Sequence, residues 1–210
     1  MIGNNSCGTH SLLGGKTVDN VEELRILLYD GTQMTVRNAN ETKLAEIIAQ
    51  GGRPGEIYGK LHAMGENYAG LIRDRFPQIP RRVSGYNLDE LLQERGFNVA
   101  RALVGTEGTC AIVLEAKLKL IHSPQHRALV GLGYRDAFFA ADHVPEILQF
   151  HPIGLEGFEG SIVDGLQRKG APNLELLPEG RGILLVEFGD RKSTRLNSSH
   201  VSLSRMPSSA

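Results

Sequence analysis

The chain has 210 residues, of which 40% are hydrophobic and 22% charged, and its 23 basic and 24 acidic residues give a formal net charge of -1. This profile predicts a soluble globular protein of one or two domains. It gives no electrostatic reason to expect a nucleic acid or an anionic membrane surface as a partner. No segment approaches the ~20 apolar residues of a membrane-spanning helix, and the N-terminus lacks the pattern of a secretory signal.

The two cysteines, Cys7 and Cys110, lie far apart in the sequence. They cannot form a disulfide framework, and alone they provide neither an iron–sulfur nor a zinc site. We therefore expect a reducing, cytoplasmic setting and no metal bound by this chain. The histidines show no metal-ligand spacing, so His10 and the others are predicted to be structural or solvated.

The first predicted elements are a β-hairpin and two helices. Residues 21–28 and 33–36 partly alternate between apolar and polar side chains on either side of a turn at Asp30-Gly31, which predicts the hairpin. Asn40 precedes an amphipathic helix over 41–50 that a glycine pair ends. Apolar residues at helical spacing then predict a longer helix over 56–75; they are Ile57, Leu61, Met64, Tyr68, Leu71 and Ile72.

The second half begins with the strongest strand pattern, over residues 110–121. Alternation there predicts one buried apolar face and one wet face; the apolar face comprises Cys110, Ile112, Leu114, Ala116, Leu118 and Leu120. Pro124 breaks the chain, and the patterns that follow predict a strand over 128–134, helices over 136–150 and 153–168, and a strand over 182–188. This β-α-α-β order predicts a second α+β unit.

Both ends of the sequence are unusual. Residues 190–210 are rich in serine and lack apolar periodicity, and residues 190–200 are what a common sequencing-library adapter encodes. We therefore expect residues 190–210 to be a non-native tail. The chain opens inside a Gly/Asn-rich, loop-like segment, so we also expect it to be a piece of a longer protein.

Two glycine-rich segments offer backbone amides that no Cβ shields. They are Gly3-Asn-Asn-Ser-Cys-Gly8, near the start, and Gly105-Thr-Glu-Gly-Thr109, directly before the strongest strand. A phosphate or a flat ring can approach such backbone closely, with Asn, Ser and Thr side chains as further donors. Gly14-Gly15-Lys16-Thr17 does not predict a P-loop, because His10 stands where that motif needs its first glycine.

The order and spacing of these segments resemble a known family. Together with Gly15-Lys-Thr-Val-Asp19 and Ser84-Gly-Tyr-Asn-Leu88, they are similar to the FAD-binding domain of FAD-linked 2-hydroxyacid dehydrogenases. These belong to the PCMH-type, vanillyl-alcohol-oxidase-like flavoproteins. The run from Arg81 to Leu91 is most similar to large bacterial members that carry an iron–sulfur module after the flavin module, of the D-2-hydroxyglutarate and D-lactate dehydrogenase type.

The resemblance implies an α+β fold with two named parts. Residues 1–122 would be the second half of a PCMH-type FAD-binding domain, and residues 127–189 the start of a ferredoxin-like α+β substrate domain. The implied cofactor is FAD, and the implied reaction is oxidation of a small D-2-hydroxy acid to the 2-oxo acid by hydride transfer to flavin. An iron–sulfur cluster would belong to the longer protein and not to this chain. The electron acceptor, the oligomeric state and the catalytic base stay open.

The cofactor-binding residues implied by the resemblance come from both glycine-rich segments. A flavin that accepts a hydride develops negative charge, which backbone amides and neutral side-chain donors stabilise. Glu107 is therefore predicted to accept a hydrogen bond from a ribose or the backbone, or to be an exposed turn carboxylate. The residues are Asn4, Asn5, Ser6, Cys7, Gly8, Gly105, Thr106, Glu107, Gly108, Thr109 and, through its backbone, Ile112.

Two other functions remain open at this stage. A transferase similar to alkyl-glycerone-phosphate synthase would use the same FAD domain for chemistry without net oxidation. A non-catalytic α/β binding module would bind no flavin at all.

Overall fold

The computed structural model describes residues 1–190, and for Asp190 the backbone alone. In chain order the α-helices are α1 (Ser11–Gly14), α2 (Thr17–Asn20), α3 (Glu41–Gln50), α4 (Gly52–Arg75), α5 (Val99–Ala102), α6 (Ala137–Asp142), α7 (Val144–Leu148) and α8 (Gly160–Arg168). The strands are β1 (Val21–Leu27), β2 (Gln33–Arg37), β3 (Ile112–Leu118), β4 (His126–Tyr134), β5 (Gly154–Glu159) and β6 (Gly182–Asp190). Three short 3-10 helices span Leu88–Leu91, Gln93–Arg95 and Leu174–Leu176.

The chain divides into two compact units, each with an antiparallel sheet and helices. Unit 1 comprises Met1–Gly8 and Gly15–Leu120, and unit 2 comprises Thr9–Gly14 and the described residues from Ile121 onward. The predicted α+β class is therefore confirmed. The identities predicted for residues 1–122 and 127–189 stay predictions.

Unit 1 contains the predicted hairpin and the predicted capped helix. Strands β1 and β2 pair antiparallel, and β3 pairs on the other side of β1. Asn40 caps α3 by accepting a hydrogen bond from the backbone N–H of Lys43 at 2.9 Å, and Gly51 ends the helix with a φ of 69°. The core of unit 1 forms between the sheet and these helices, around Val21, Leu24 and Val36.

The burial predicted for the strand over 110–121 is wrong. The strand itself is shorter, Ile112–Leu118, and all seven of its residues are exposed. Strand β3 lies at the edge of its sheet, whereas α5 packs against the other two strands, β1 and β2. Apolar alternation predicted a strand correctly here but not what packs against it.

Helix α4 begins earlier than predicted, at Gly52, because Gly51 closes α3 and the next helix starts at once. Pro54 is tolerated in this first turn, where its missing N–H has no intrahelical partner. The buried face also differs from the predicted one. Met64, Tyr68 and Leu71 are exposed, and the buried residues are instead Gly55, Tyr58, Gly65 and Ile72.

Unit 2 contains a three-stranded antiparallel sheet in the order β4-β6-β5. Its core forms around Leu184 and Val186 of the central strand, with Ala140 and Ile147 of the helices. The single helix predicted over 136–150 is wrong, because it is divided at His143 into α6 and α7. Pro145 explains the division, since its ring and missing N–H exclude it from a helix interior but suit a first turn.

The helix predicted over 153–168 is also wrong in its first half. Residues Gly154–Glu159 form β5, which pairs with the central strand β6, and only Gly160–Arg168 is helical. Glycines at 154 and 157 weaken a helix, and at 157 an added Cβ would lie 2.9 Å from a Leu184 side-chain carbon. Tertiary pairing with β6 therefore decides the strand, and the unit reads β-α-α-β-α-β.

Within residues 1–190, no helix is both long and apolar enough to cross a bilayer. The tail predicted over 190–210 lies outside the described residues, apart from Asp190. The backbone of Asp190 is described, and this residue is the last of β6.

Gly65 of α4 provides a test of how tightly this helix packs. A Cβ at Gly65 would lie 2.8 Å from the Leu91 carbonyl oxygen, whereas a Cβ at Gly70 would meet nothing within 4 Å. We expect Gly65→Ala to lower the free energy of unfolding by about 1–2 kcal/mol, because overpacking outweighs the better helix propensity. Gly70→Ala should raise it by about 0.5–1 kcal/mol. Urea unfolding of the two variants tests this, and equal effects would contradict the packing.

Two nearby glutamates have opposite electrostatic environments. Burial raises the pKa of Glu90, whose Oε2 has no hydrogen-bond partner among the described residues. Glu94 instead accepts hydrogen bonds from Arg73 at 2.7 and 3.1 Å, and these bonds lower its pKa to about 2. A carboxyl group whose pKa is raised in the folded state lowers the stability as the pH rises through the ordinary carboxyl pKa. A carboxyl group whose pKa is lowered in the folded state adds stability at neutral pH, and this stability is lost as the pH falls toward 2.

We therefore expect Glu90→Gln and Glu94→Gln to change stability in opposite directions at pH 7. Glu90→Gln should raise the free energy of unfolding, by about 1.4 kcal/mol for each unit by which the folded pKa exceeds the unfolded one. Glu94→Gln should lower it, with the difference from the parent disappearing as the pH falls from about 4.5 toward 2. Unfolding measured between pH 3 and 7 tests both signs.

Candidate functional site

Three loops of unit 1 meet around the two glycine-rich segments. We call residues 2–8 the N-terminal loop, residues 105–109 the glycine-rich loop and residues 83–87 the tyrosine segment. The first two contain every predicted cofactor-binding residue except Ile112. The third contributed to the family resemblance but was not predicted to be part of the site.

Backbone hydrogen bonds hold the N-terminal loop beside the glycine-rich loop. The Gly105 N–H donates to the Ile2 carbonyl oxygen at 3.0 Å, and the Glu107 N–H donates to the Gly3 carbonyl oxygen at 2.9 Å. A Cβ at Gly3 would lie 3.5 Å from the Glu107 Cα. The structure therefore brings the two predicted segments together through their backbones.

Asn5 is the most buried polar residue of the N-terminal loop. It is fully buried and has a φ of 46°, a conformation that asparagine tolerates better than most residues. Its Oδ1 accepts a hydrogen bond from the Val18 N–H at 3.0 Å, which fixes the orientation of the amide. Its Nδ2 is then a buried donor with no partner in the described chain, a state that costs about 1–3 kcal/mol.

The remaining residues of the N-terminal loop divide into anchored and open positions. The Ser6 carbonyl oxygen accepts hydrogen bonds from the Thr17 N–H at 3.1 Å and the Thr17 Oγ1 at 2.9 Å. Asn4 and Gly8 are exposed and Cys7 is half-buried. A Cβ at Gly8 would meet nothing within 4 Å, so this end of the loop is open to a ligand.

The glycine-rich loop is a tight turn with left-handed backbone angles. Gly105, Glu107 and Gly108 have φ values of 87°, 51° and 75°. A Cβ at Gly105 would lie 3.3 Å from both the Asn5 Cβ and the Gly85 carbonyl oxygen, so the close approach of the three loops requires glycine. Thr106 is buried, and its Oγ1 donates to the Leu103 carbonyl oxygen at 2.8 Å.

Two tyrosines that were not predicted as site residues hold the same loop. The Thr109 Oγ1 donates to the Thr106 carbonyl oxygen at 2.6 Å, so the Tyr86 hydroxyl, 2.7 Å from that Oγ1, is the donor to it. The Tyr29 hydroxyl donates to the Gly108 carbonyl oxygen at 2.5 Å. The motif that includes Ser84–Leu88 could have indicated Tyr86, whereas Tyr29 lies in the hairpin turn with no motif around it.

The tyrosine segment is anchored behind the loop by a buried amide. The Asn87 side chain is almost fully buried, and its Nδ2 donates to the Val104 carbonyl oxygen at 2.7 Å. Like Tyr86, Asn87 lies within the Ser84–Leu88 motif and was not predicted as a site residue. The segment thus fixes both ends of the glycine-rich loop.

The chemistry of the site is that of neutral donors. Asparagine, serine and threonine side chains surround the two loops, and the one ionisable carboxyl in them, that of Glu107, is exposed. Ile112 is half-exposed at the start of β3 and pairs with Leu27. In the described chain, no hydrogen bond joins Cys7, Gly8 or Ile112 to the other predicted site residues. Residues 1–190 contain no group of three or more His, Cys, Asp or Glu placed to hold a metal ion.

A buried donor with no partner in the described chain and open backbone at Gly8 and Gly108 can contact a flat, phosphate-bearing cofactor. The residues present therefore fit a dinucleotide such as FAD. Asn5 would supply the buried donor, and the backbones at Gly8 and Gly108 would supply the close approach.

Comparison with known proteins identifies relatives that are dehydrogenases. The chain is 31% identical over 164 residues to a D-2-hydroxyglutarate dehydrogenase of Pseudomonas putida and 32% identical over 168 residues to one of Pantoea ananatis, with 78% of this chain covered in each case. It is 29% identical over 221 residues, covering 98% of this chain, to one of Haemophilus influenzae. No protein-family model matches the chain.

These similarities agree with the resemblance found in the sequence motifs. The chain belongs to the family of FAD-linked 2-hydroxyacid dehydrogenases. It spans 16% of the length of the Pseudomonas and Pantoea relatives and 21% of the length of the Haemophilus one.

We expect the hydroxyl of Tyr86 to contribute measurably to the stability of unit 1. Tyr86→Phe removes only the hydrogen bond to Thr109, so we expect it to lower the free energy of unfolding by about 0.5–1.5 kcal/mol. Tyr68→Phe is the matched control, because that hydroxyl is exposed and no hydrogen bond to it is present in the described chain. In a double-mutant cycle with Thr109→Val, the two effects should not add. Equal stability of Tyr86→Phe and Tyr68→Phe would show that Tyr86 does not hold the loop.

Proposed function

We propose that this chain is part of an enzyme that oxidises a D-2-hydroxy acid to the 2-oxo acid with FAD as cofactor. The names of the relatives favour D-2-hydroxyglutarate over D-lactate as the substrate. In this proposal, residues 1–122 are the second half of a PCMH-type FAD-binding domain and residues 127–189 begin a ferredoxin-like substrate domain. Electrons leave to an iron–sulfur module of the longer protein or to another acceptor.

The observation that carries the proposal is that the Asn5 Nδ2 has no partner in the described chain, in a residue that lies against Gly105. Asn5 is fully buried, and within the described chain its Nδ2 donor has no acceptor. A Cβ at Gly105 would lie 3.3 Å from the Asn5 Cβ. The N-terminal loop and the glycine-rich loop are therefore in contact at Asn5. A ligand acceptor at Nδ2 would remove the desolvation cost, which is a general reason for such a donor to persist at a binding site.

The residues of the two loops suit the charge of such a cofactor. When bound, FAD supplies the hydride acceptor for oxidation of the hydroxyl-bearing carbon. In this proposal, the amide of Asn5 and the backbone N–H of Gly108 donate to anionic oxygens without adding a competing carboxylate. Glu107 is exposed, and in this proposal it accepts hydrogen bonds from ribose hydroxyls outside this neutral region.

Binding of FAD to the chain tests the cofactor assignment directly. Gly8→Leu fills open space beside the N-terminal loop, and Asn5→Asp replaces the unpartnered donor while keeping the acceptor for Val18. We expect each to weaken FAD binding at least tenfold, which corresponds to about 1.4 kcal/mol. Gly70→Leu and Asn38→Asp make the same changes at exposed positions of unit 1 and should leave the affinity unchanged.

The measurement is a titration with FAD, followed by flavin fluorescence, of the protein expressed from the complete genomic reading frame that contains this sequence, with thermal unfolding of each variant as a check of folding. A chain that takes up no FAD would overturn the cofactor assignment. Equal affinities of Gly8→Leu, Asn5→Asp and the parent would place FAD elsewhere.

The substrate is tested with the protein expressed from the complete genomic reading frame that contains this sequence. We expect a flavin absorbance band that bleaches faster on addition of D-2-hydroxyglutarate than of D-lactate. Bleaching by D-lactate alone would reverse the substrate assignment, and a band that neither acid bleaches would exclude both.

A further inference from the structure

The turn of the β1–β2 hairpin, residues 28–32, contacts the glycine-rich loop through a single side chain. The Tyr29 hydroxyl that donates to the Gly108 carbonyl oxygen comes from a residue 79 positions away in the sequence. Tyr29 is 75% exposed, so water can replace its hydroxyl at that carbonyl without leaving a buried group unpaired. We therefore expect this contact to add little to the stability of unit 1 and to act mainly on the conformation of Gly108.

Gly108 combines an available donor with open space. The N–H groups of Gly105, Glu107 and Thr109 each donate to a backbone carbonyl oxygen, whereas the Gly108 N–H makes no such bond among the described residues. A Cβ at Gly108 would meet nothing within 4 Å. Glycine leaves its own backbone angles free to rotate, so a hydrogen bond to the Gly108 carbonyl oxygen restricts the direction in which this part of the loop points.

An ion-pair network joins the hairpin turn to the first turn of α4. Asp30 follows Tyr29, and its Oδ1 accepts a hydrogen bond from the Thr32 N–H at 2.9 Å. The Asp30 Oδ2 accepts a second bond from the Arg53 Nε at 2.7 Å. Arg53 also donates through a terminal nitrogen to the Glu56 Oε2 at 2.9 Å, which fixes the plane of its guanidinium. The carboxylate next to Tyr29 is therefore held by a helix.

The exposure of this network separates its effect on the turn from an effect on overall stability. The side chains of Arg53 and Asp30 are 45% and 40% exposed, and exposed ion pairs contribute little to the free energy of unfolding. They do limit the conformations of the turn in which they lie. The contacts therefore run from α4 through Arg53 and Asp30 to Tyr29, and from Tyr29 to Gly108.

We propose that Tyr29 is a positioning residue of the cofactor site and that Arg53 acts through Tyr29 by fixing the hairpin turn. Tyr29 holds the Gly108 carbonyl so that the Gly108 N–H stays directed toward an anionic oxygen of the cofactor. A loop that is ordered before binding loses less entropy on binding, so a loop released from Tyr29 retains FAD less well. This inference rests on the proposed function, which assigns the Gly108 N–H to FAD.

The test measures the rate of FAD release, followed by flavin fluorescence after dilution, from the protein expressed from the complete genomic reading frame that contains this sequence. We expect Tyr29→Phe to speed release by roughly two- to tenfold, the range that one net hydrogen bond supplies. Arg53→Met should speed release by a smaller factor. The double variant should release FAD no faster than Tyr29→Phe alone, because Arg53 acts through the Tyr29 hydroxyl.

Two matched variants control for the loss of a hydroxyl and of an ion pair. Tyr68→Phe removes an exposed hydroxyl from α4. Arg37→Met removes an exposed ion pair with Glu23, 3.5 Å long, from the strands of the same hairpin. Both should release FAD at the parent rate, and thermal unfolding of all variants without FAD should match that of the parent.

Hydrogen exchange of the FAD-free protein provides a readout that needs no cofactor. Mass spectrometry should show faster exchange over residues 105–109 in Tyr29→Phe than in the parent and in Tyr68→Phe. An unchanged rate of FAD release in Tyr29→Phe, or an effect of Arg53→Met that adds in full to it, would overturn this inference alone. A parent protein that binds no FAD would instead reject the proposed function, and the cofactor role of Tyr29 with it.

Discussion

The backbone pairing of the N-terminal loop with the glycine-rich loop is the constraint on which the candidate cofactor site depends. It joins segments from opposite ends of unit 1 through the N–H groups of Gly105 and Glu107. Because these bonds join backbones, residue type matters mainly through the space that each residue occupies, and a Cβ at Gly105 would crowd Asn5 and the Gly85 carbonyl oxygen, each at 3.3 Å. The side chain of Asn5 is enclosed as a result, and its unpartnered donor is a consequence of this pairing.

The same pairing explains why tyrosines far apart in sequence act on one loop. A turn with several left-handed residues is costly unless its surroundings fix it. Tyr29 and Tyr86 bind carbonyl and hydroxyl groups at the far end of the turn, and Asn87 binds the Val104 carbonyl at its near end. The loop is therefore held at both ends by hydroxyl and amide groups, and a Cβ at Gly108 would meet nothing within 4 Å in the described chain. A loop fixed in this way can receive a ligand without the entropy cost of ordering it.

The parts of the structure that could be predicted from sequence are those set by local signals. Asn40 and the Asp30-Gly31 turn act within a few residues, so α3 and the β1–β2 hairpin were predicted correctly. The strand β5 was not, because only its pairing with β6 makes it a strand. The exposure of β3 was not predicted either, because exposure depends on what packs against a sheet. In the site, motif spacing indicated both loops, but the contact between Tyr29 and Gly108 joins residues 79 apart and has no sequence pattern.

The polar loops of unit 1 and a second polar cluster, formed by His10, Arg127 and Glu187 of unit 2, differ in how deeply their donors are buried and in whether those donors are charged. The loops of unit 1 offer neutral donors in a partly buried setting, which suits a ligand whose charge is spread over a ring and phosphates. The cluster of unit 2 pairs Glu187 with the Arg127 guanidinium and the His10 ring, each about half exposed, and a half-exposed guanidinium can recognise a compact carboxylate through paired hydrogen bonds. A buried arginine among the loops of unit 1 would carry a large desolvation cost, and neutral amides alone at the half-exposed positions of unit 2 would compete poorly with water. Each cluster therefore has the kind of donor that its own burial allows.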